Sequence, residues 1–158
     1  KNYFQKVGKV GKIMKVKDCM SHNVSWVKPE NTIKDCATIM CNNHVGCVPV
    51  CDNAQNVVGL VTDRDIILRC IACDKDVKTT PVSEIMTCKV QCCTPEADVT
   101  EAERIMSQNQ VKRIPIVDNN KIVGILTLGD LAANEQINNK GVTDTLNNIC
   151  GCDDKNAE

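Results

Sequence analysis

The stretch Gly59-Leu60-Val61-Thr62-Asp63-Arg64-Asp65-Ile66 decides the fold, because it occurs twice in the chain. It returns as Gly124-Ile125-Leu126-Thr127-Leu128-Gly129-Asp130-Leu131, with glycine, threonine and aspartate in the same relative places. In each copy an apolar run leads into a Thr-x-x-Asp turn, which is typical of a helix start. The pattern therefore predicts a strand that ends where a helix begins, present in two copies.

The duplication extends well beyond this motif. An offset of 66 residues aligns further matching pairs: Met20 with Met86, Pro29 with Pro95, Met40 with Met106, Val45 with Val111, and Pro49 with Pro115. The offset drops to 65 before Gly124, as a one-residue loop deletion would cause. A repeat of this length predicts two similar structural units.

Each repeat is predicted to run strand, helix, strand, strand, helix. The predicted strands are 24–27, 48–50 and 57–61 in repeat 1, and 90–92, 114–117 and 122–126 in repeat 2. The predicted helices begin at Asn31 and Asp98 as N-caps, with Glu101 completing a capping box, and two more cover 63–73 and 143–150. Helical spacing predicts two buried stripes in repeat 1, namely Ile33, Cys36, Ala37, Met40 and Cys41, and then Ile66, Ile67, Cys70 and Ile71.

Composition bounds the function. The chain has 158 residues, 42% of them hydrophobic, with 19 basic against 20 acidic residues. This balance lacks the basic excess of nucleic-acid-binding proteins, and no apolar run is long enough to span a membrane. A cytoplasmic protein with no nucleic-acid or membrane partner is expected. The predicted organisation is a flexible basic tail (1–15), repeat 1 (16–73), a connector (74–81), repeat 2 (82–133) and a tail with one short helix (134–158).

Two features of the composition leave alternatives open. The basic start holds Phe4, Val7, Val10 and Met14 at loose helical spacing, so an amphipathic helix on a partner or an anionic membrane competes with the mobile tail. The twelve cysteines include Cys36, Cys41, Cys47 and Cys51 at positions where apolar residues are expected, which favours core thiols in a reducing compartment. A thiolate metal or redox site is the alternative for three cysteine pairs, Cys70 with Cys73, Cys92 with Cys93, and Cys150 with Cys152.

On these residues, the chain resembles a tandem pair of cystathionine-β-synthase-type (CBS) domains, a Bateman module. The repeated Gly-x-x-Thr-x-x-Asp, the strands Val48-Pro49-Val50 and Ile114-Pro115-Ile116-Val117, and the opening methionines Met20 and Met86 carry the resemblance, over about residues 16–133. It implies a mixed α/β (α+β) fold of two β-α-β-β-α repeats arranged as a pseudo-twofold disc. It also implies two clefts that take adenine nucleotides.

The resemblance implies which residues bind the nucleotide. Asp65 and Asp130 are assigned to ribose, and Thr62 and Thr127 to phosphate or sugar. Lys112 and Arg113 are expected to reach across to the phosphates of the ligand held by Thr62 and Asp65, where a charge-assisted bond can contribute about 1.5–3 kcal/mol. Arg64 would add a third cation, and three neighbours complete the candidate site: Cys47, Ile114 and Pro115. A stabilising capping box is the competing interpretation of each Thr-x-x-Asp.

The two clefts are expected to differ. Repeat 1 has Gly46-Cys47 where repeat 2 has Lys112-Arg113, so the cleft of Thr127 and Asp130 is expected to lack the basic clamp. That cleft would be empty or would take a nucleoside-like ligand with fewer phosphates.

The resulting functional hypothesis is a non-catalytic sensor that binds AMP, ADP or ATP and requires no cofactor. No catalytic triad spacing, phosphate-binding Gly-rich loop or histidine metal motif is present in the sequence. A homodimer and regulation of a separate effector protein are expected by analogy with the family. The alternative function is an interaction module with vestigial clefts.

Overall fold

The computed structural model describes residues 13–137 and 139–151. Its helices are α1 (Ile33–Asn43), α2 (Asp63–Asp65), α3 (Val99–Asn109), α4 (Leu128–Ala133) and α5 (Asn139–Cys150). Its strands are β1 (Cys47–Cys51), β2 (Val57–Thr62), β3 (Arg113–Asp118) and β4 (Lys121–Thr127). Helix α2 continues as a π-helical segment (Ile66–Cys70) and a 3-10 turn (Ile71–Cys73), and further 3-10 turns, Val16–Asp18 and Val82–Glu84, open the two repeats. The predicted α+β class is confirmed.

Both predicted hairpins are confirmed. Strand β1 pairs antiparallel with β2, and β3 pairs antiparallel with β4. The registers match, since Cys47 lies opposite Thr62 in the first hairpin and Arg113 lies opposite Thr127 in the second. The start of each hairpin therefore lies beside the Thr-x-x-Asp turn of its own repeat.

The predicted strands over 24–27 and 90–92 are wrong. The first segment makes one parallel bridge to its own hairpin, between Val27 and Val50, and the chain after the second makes one between Cys93 and Ile116. A continuous ladder cannot form, because each segment arrives from the other repeat. The observed repeat is helix, strand, strand, helix, preceded by an extended opening segment.

The opening segments are exchanged between the repeats. Ser21, at the start of repeat 1, forms two backbone hydrogen bonds with Ile125 of β4, at 2.9 and 3.1 Å. Thr87, at the start of repeat 2, forms two with Leu60 of β2, at 2.9 and 3.0 Å. The four bonds tie the beginning of each repeat to the hairpin of the other.

The exchange explains the glycine of the repeated motif. A Cβ added at Gly124 would lie 2.6 Å from Sδ of Met20 and 3.0 Å from the carbonyl oxygen of Ser21. A Cβ added at Gly59 would lie 2.5 Å from Sδ of Met86. Neither glycine has a positive φ. Each is required because a methionine of the other repeat packs directly on the backbone.

The two hydrophobic cores are exchanged as well. Val16 and Met20 are buried in the core of repeat 2, and Val82 and Ile85 are buried in the core of repeat 1. Met14 and Lys15, in the predicted tail, also contact repeat 2: Val99 donates to the carbonyl of Met14 at 3.1 Å, and Lys15 Nζ donates to the carbonyl of Glu96 at 2.8 Å. The predicted mobile tail and its amphipathic alternative otherwise fall on 1–12, outside the described residues.

The predicted helix starts need two corrections. Thr32, not Asn31, caps α1: its Oγ1 accepts from Asp35 N at 3.1 Å while the Asp35 carboxylate accepts from Thr32 N at 3.0 Å. Asp98 does cap α3, but Glu101 forms no capping box and instead pairs with Arg104 at 2.6 Å. In both cases the side chain predicted to cap the helix binds another residue nearby in sequence: Asn31 accepts from Lys28 N, and Glu101 pairs with Arg104.

The predicted stripe after Thr62 is half wrong. Cys70 is buried and Ile66 partly buried, but Ile67 and Ile71 are 58% and 56% exposed. The cause is the π-helical winding of Ile66–Cys70, in which the hydrogen bond spans five residues and the 3.6-residue spacing no longer applies. In α1 the stripe also ends one residue early, since Cys41 is exposed.

The last helix, α5, is longer than predicted and packs against α3. Its described residues Val142 and Thr145 are 8% and 4% exposed. Asn148 Nδ2 donates to Ser107 Oγ at 2.8 Å. Throughout 13–137 and 139–151, no helix combines the length and apolar character that a membrane span requires.

Candidate functional site

The first cleft has a volume of about 850 Å³ and is shared by the two repeats. Repeat 1 contributes its Thr-x-x-Asp turn, with Thr62, Arg64 and Asp65. Repeat 2 contributes its opening segment and the start of β3, with Lys112 and Arg113. The structure therefore brings together the five residues that the sequence assigned to one ligand.

The second cleft has a volume of about 600 Å³ and follows the same plan with the repeats interchanged. Thr127 and Asp130 come from repeat 2, while Gly46 and Cys47 come from the start of β1 in repeat 1. Helix α5 adds Leu146 to its wall. Both Thr-x-x-Asp turns thus lie in clefts of a size that suits a small organic ligand, typically 300–1,000 Å³.

The opening segments line the clefts because of the exchange. Between its contact with β4 and its contact with β1, the chain from Ser21 to Ser25 crosses from one repeat to the other and borders the second cleft. The chain from Thr87 to Gln91 borders the first cleft in the same way. Sequence reasoning took these stretches for strands and missed them as lining. The aligned methionines beside them mark the two stretches as equivalent but do not show which cleft each one lines.

Matching positions of the two clefts differ in charge. Where the first cleft has Lys89, the second has Asn23. Arg64 of the first cleft corresponds to Gly129 of the second. Arg69 is a further cation of the first cleft that sequence reasoning missed. The first cleft consequently holds five cationic side chains against the two carboxylates of Asp63 and Asp65.

The expected absence of the basic clamp from the second cleft is wrong. Lys112 and Arg113 line both clefts. Arg113 borders both clefts because its backbone lies opposite Thr127 in its own hairpin, while its guanidinium extends to Gly46 of repeat 1. A Cβ added at Gly46 would lie 3.0 Å from Nη2 of Arg113 and 2.9 Å from Oδ2 of Asp63. Gly46 leaves room for the guanidinium between the two clefts.

Several cations of the first cleft have no acidic partner. Within residues 13–137 and 139–151, the side chains of Arg64, Lys89, Lys112 and Arg113 form neither an ion pair nor a hydrogen bond. Arg113 is partly buried. Five cationic side chains against two carboxylates give the cleft an excess of positive charge, which favours an anionic ligand.

Both Thr-x-x-Asp turns are capping boxes in this structure. The Asp65 carboxylate accepts from Thr62 N at 2.8 Å, and Thr62 Oγ1 accepts from Asp65 N at 3.1 Å. The matching distances for Asp130 and Thr127 are 2.8 and 3.0 Å. The stabilising role is thus present in both repeats, and it uses Oδ2 of each aspartate.

The other carboxylate oxygen distinguishes the two aspartates. Oδ1 of Asp65 pairs with Arg69 at 3.4 Å, whereas in the described part of the chain Oδ1 of Asp130 has no hydrogen-bond or ion-pair partner. Arg69 also donates to the carbonyl of Ile85 at 2.8 Å and to Thr87 Oγ1 at 3.3 Å. Arg69 therefore fixes Asp65 to the opening segment of repeat 2.

Two of the candidate residues lie outside the clefts. Ile114 is fully buried in the core of repeat 2, and Pro115 is buried in the middle of β3. Neither is among the residues that line the two clefts, because Arg113, the first residue of β3, is the only one of that strand that reaches them. Cys47 does line the second cleft at 5% exposure, and burial raises the pKa of its thiol although Arg113 opposes the shift.

The buried cysteines behave as apolar side chains. Cys36 and Cys51 are fully buried, and burial raises the pKa of Cys36 to about 12 and that of Cys51 to about 11. Both thiols are protonated at neutral pH, as predicted for core residues. Among the described residues, no three His, Cys, Asp or Glu side chains are grouped to hold a metal ion.

The family profile of the CBS domain matches the chain twice, over residues 16–71 and 82–135. The chain belongs to the CBS domain family. A tandem CBS pair is a regulatory module, and the exchanged opening segments and paired clefts described above are how this pair is built.

Three CBS proteins illustrate the similarity. CBS domain-containing protein YhcV of Bacillus subtilis is 43% identical over 135 residues, which are 85% of this chain and 94% of that protein. The CBS domain pair of protein MJ0100, in complex with 5′-methylthioadenosine and S-adenosyl-L-methionine, is 27% identical with a TM-score of 0.69, over 76% of this chain and 94% of that one. The hexameric CBS-CP12 protein from bloom-forming cyanobacteria is 25% identical with a TM-score of 0.70, over 77% and 70%.

Proposed function

We propose that this CBS pair is a non-catalytic sensor that binds an adenine nucleotide, AMP, ADP or ATP, in its first cleft. One observation carries the proposal. Thr62 and Asp65 of repeat 1 share a cleft of about 850 Å³ with Lys112 and Arg113 of repeat 2, and the cations lack acidic partners among the described residues.

The charge of the first cleft supports a phosphorylated ligand. Lys112, Arg113, Arg64 and Lys89 supply donors on several sides of the cleft. Phosphate oxygens accept charge-assisted hydrogen bonds from such groups, and arginine can donate two in parallel. An uncharged ligand would leave the excess positive charge of the cleft uncompensated.

The capping aspartate supports a ribose. A carboxylate repels phosphate but accepts the hydrogen bonds of two neighbouring hydroxyls. Oδ2 of Asp65 accepts the hydrogen bond of the helix start, and Oδ1 pairs with Arg69 at 3.4 Å. This ion pair is long and the Arg69 side chain is half-exposed, so a ligand hydroxyl can take the place of Arg69 at Oδ1. Capping and ligand binding are therefore compatible in the same residue.

The MJ0100 pair supports an adenosyl ligand, because it binds 5′-methylthioadenosine and S-adenosyl-L-methionine. The cations of the first cleft distinguish phosphorylated adenosine from those ligands. Thr127 and Asp130 form the second nucleoside site of the proposal, and Oδ1 of Asp130, which has no hydrogen-bond or ion-pair partner among the described residues, is suited to a ribose hydroxyl.

Isothermal titration calorimetry with AMP, ADP, ATP, adenosine and S-adenosylmethionine tests the proposal. At least one phosphorylated adenosine is expected to bind, more tightly than adenosine, and more weakly as salt is raised because ions screen the cleft. Asp65→Ala is expected to weaken this binding about tenfold or more. If no ligand of the panel binds, the sensor proposal is wrong and the alternative, an interaction module with vestigial clefts, replaces it.

Self-association is the second function, and a specific surface favours it. Ile67, Leu68 and Ile71 follow one another along the segment after α2 and are 58%, 48% and 56% exposed. Three large aliphatic side chains exposed together mark a contact surface more often than isolated ones do. Two copies pairing through this surface would form the expected homodimer.

A further inference from the structure

Helix α5 borders both clefts although it lies outside the duplicated sequence. Leu146 lines the second cleft, and Ile149, three residues further on, lines the first. Val142 of α5 also borders the second cleft, and the other lining residues of the two clefts come from the two repeats and the segments that open them. Helix α5 is thus a third component of each site and has no counterpart after repeat 1.

The position of α5 is fixed by packing against α3. Val142 and Thr145 are buried, and Asn148 is hydrogen-bonded to Ser107. Gly141 permits a close approach, since a Cβ there would lie 2.8 Å from Oε2 of Glu103. A helix held in this way presents its remaining apolar side chains at fixed places.

Leu146 is 41% exposed, whereas Val142 and Thr145 of the same helix are buried. An exposed leucine that borders a concave cleft loses contact with water when an organic ligand fills the cleft, and this burial is favourable. Ile149 is partly buried against the core of repeat 2 and reaches the first cleft.

We propose that α5 is a ligand-contacting element of both clefts, with Leu146 packing on the ligand of the second cleft and Ile149 on the ligand of the first. The inference rests on the proposed function, because it requires an occupied cleft. These aliphatic side chains contact the uncharged part of the ligand, the base or the ribose carbons. The cations of the first cleft contact its phosphates.

The test is calorimetry with AMP and adenosine on the full chain and four α5 variants. Asp65→Ala and Asp130→Ala show which cleft each binding event belongs to, because Asp65 lines the first cleft and Asp130 the second. Ile149→Ser is expected to weaken binding in the first cleft about tenfold, and Leu146→Ser to weaken binding in the second by a similar factor. Thr143→Ala, at an exposed position of the same helix that lines neither cleft, is expected to change neither.

Ile149→Trp is the fourth variant, and it guards against loss of fold in Ile149→Ser. It keeps an apolar side chain at the core and places extra volume in the first cleft, so it is expected to block that binding while thermal unfolding stays cooperative. If only one cleft binds, only its own α5 variant is expected to respond.

Two failures can be told apart. If the wild-type protein binds nothing, the proposed function and the role of α5 both fall. If the wild type binds and every binding event is unchanged in the serine variants and in Ile149→Trp, the role of α5 alone is overturned.

Discussion

Gly124→Ala tests the exchange of opening segments between the repeats. The added methyl group would lie 2.6 Å from Sδ of Met20 and 3.0 Å from the carbonyl oxygen of Ser21. The methionine side chain can rotate away, but the Ser21 backbone is held by its hydrogen bonds to Ile125. Accommodating the methyl group must therefore displace the opening segment.

Overpacking of this kind costs about 1–3 kcal/mol of unfolding free energy. For a chain of this size, that corresponds to a lowering of Tm by roughly 2–12 °C. Urea and thermal denaturation followed by circular dichroism measure both quantities. Gly129→Ala is the matched control: its Cβ would meet only Thr127 Oγ1 at 3.5 Å, so it is expected to raise stability by up to about 1 kcal/mol through helix propensity.

A double-mutant cycle with Met20→Ala identifies the cause. In the Met20→Ala background the methyl group at position 124 no longer meets Sδ of Met20 but still meets the carbonyl oxygen of Ser21, so the additional cost of Gly124→Ala is expected to shrink without vanishing. Gly124→Ala as stable as the wild type would refute the packing of the first opening segment on repeat 2.

Two further predictions concern pH and assembly. Because burial raises the pKa of Cys36 to about 12 from an ordinary value of 9.0, the unfolded chain loses this proton first. The contribution of this thiol to the free energy of unfolding is expected to be constant below about pH 9 and to fall above it, by up to about 1.4 kcal/mol per pH unit. Urea denaturation repeated between about pH 8 and 11 measures this fall, which is expected to be shallower in Cys36→Ala. Light scattering is expected to give about twice the 17.3 kDa mass of the monomer. Ile67→Glu should shift that mass toward the monomer, whereas a wild-type monomer at all concentrations would contradict the pairing surface.

The parts of the fold that sequence could predict are those that depend on neighbouring residues. The hairpins follow from apolar runs around Pro49 and Pro115, and the helix starts at Thr62 and Thr127 follow from local capping chemistry. The π-helical winding after Asp65 was not predictable from spacing, because the apolar residues there fit an ordinary helix equally well. Local pattern fixes an element's type more readily than its winding.

The exchange was also beyond the sequence pattern. An offset of 66 residues identifies matching segments but does not say whether Met20 packs on the glycine of its own repeat or on that of the other. The structure selects the other repeat, and this choice puts Lys89 and the rest of the opening segment at the first cleft. The prediction that Lys112 and Arg113 share a cleft with Asp65 came from the family resemblance, and their simultaneous position at the second cleft required three-dimensional information.

The most direct test of the central claim is the preference for AMP over adenosine, measured by calorimetry in the wild type and in Arg113→Ala. The Arg113 guanidinium lines the first cleft and forms no ion pair with the described residues. It is expected to make the wild type bind AMP at least tenfold more tightly than adenosine, and Arg113→Ala is expected to remove most of that preference while adenosine affinity changes little. Arg104→Ala removes the same charge from a site outside the clefts, and it should retain the preference. An equal preference for AMP in the wild type and in Arg113→Ala would contradict the assignment of Arg113 to the phosphates of the ligand.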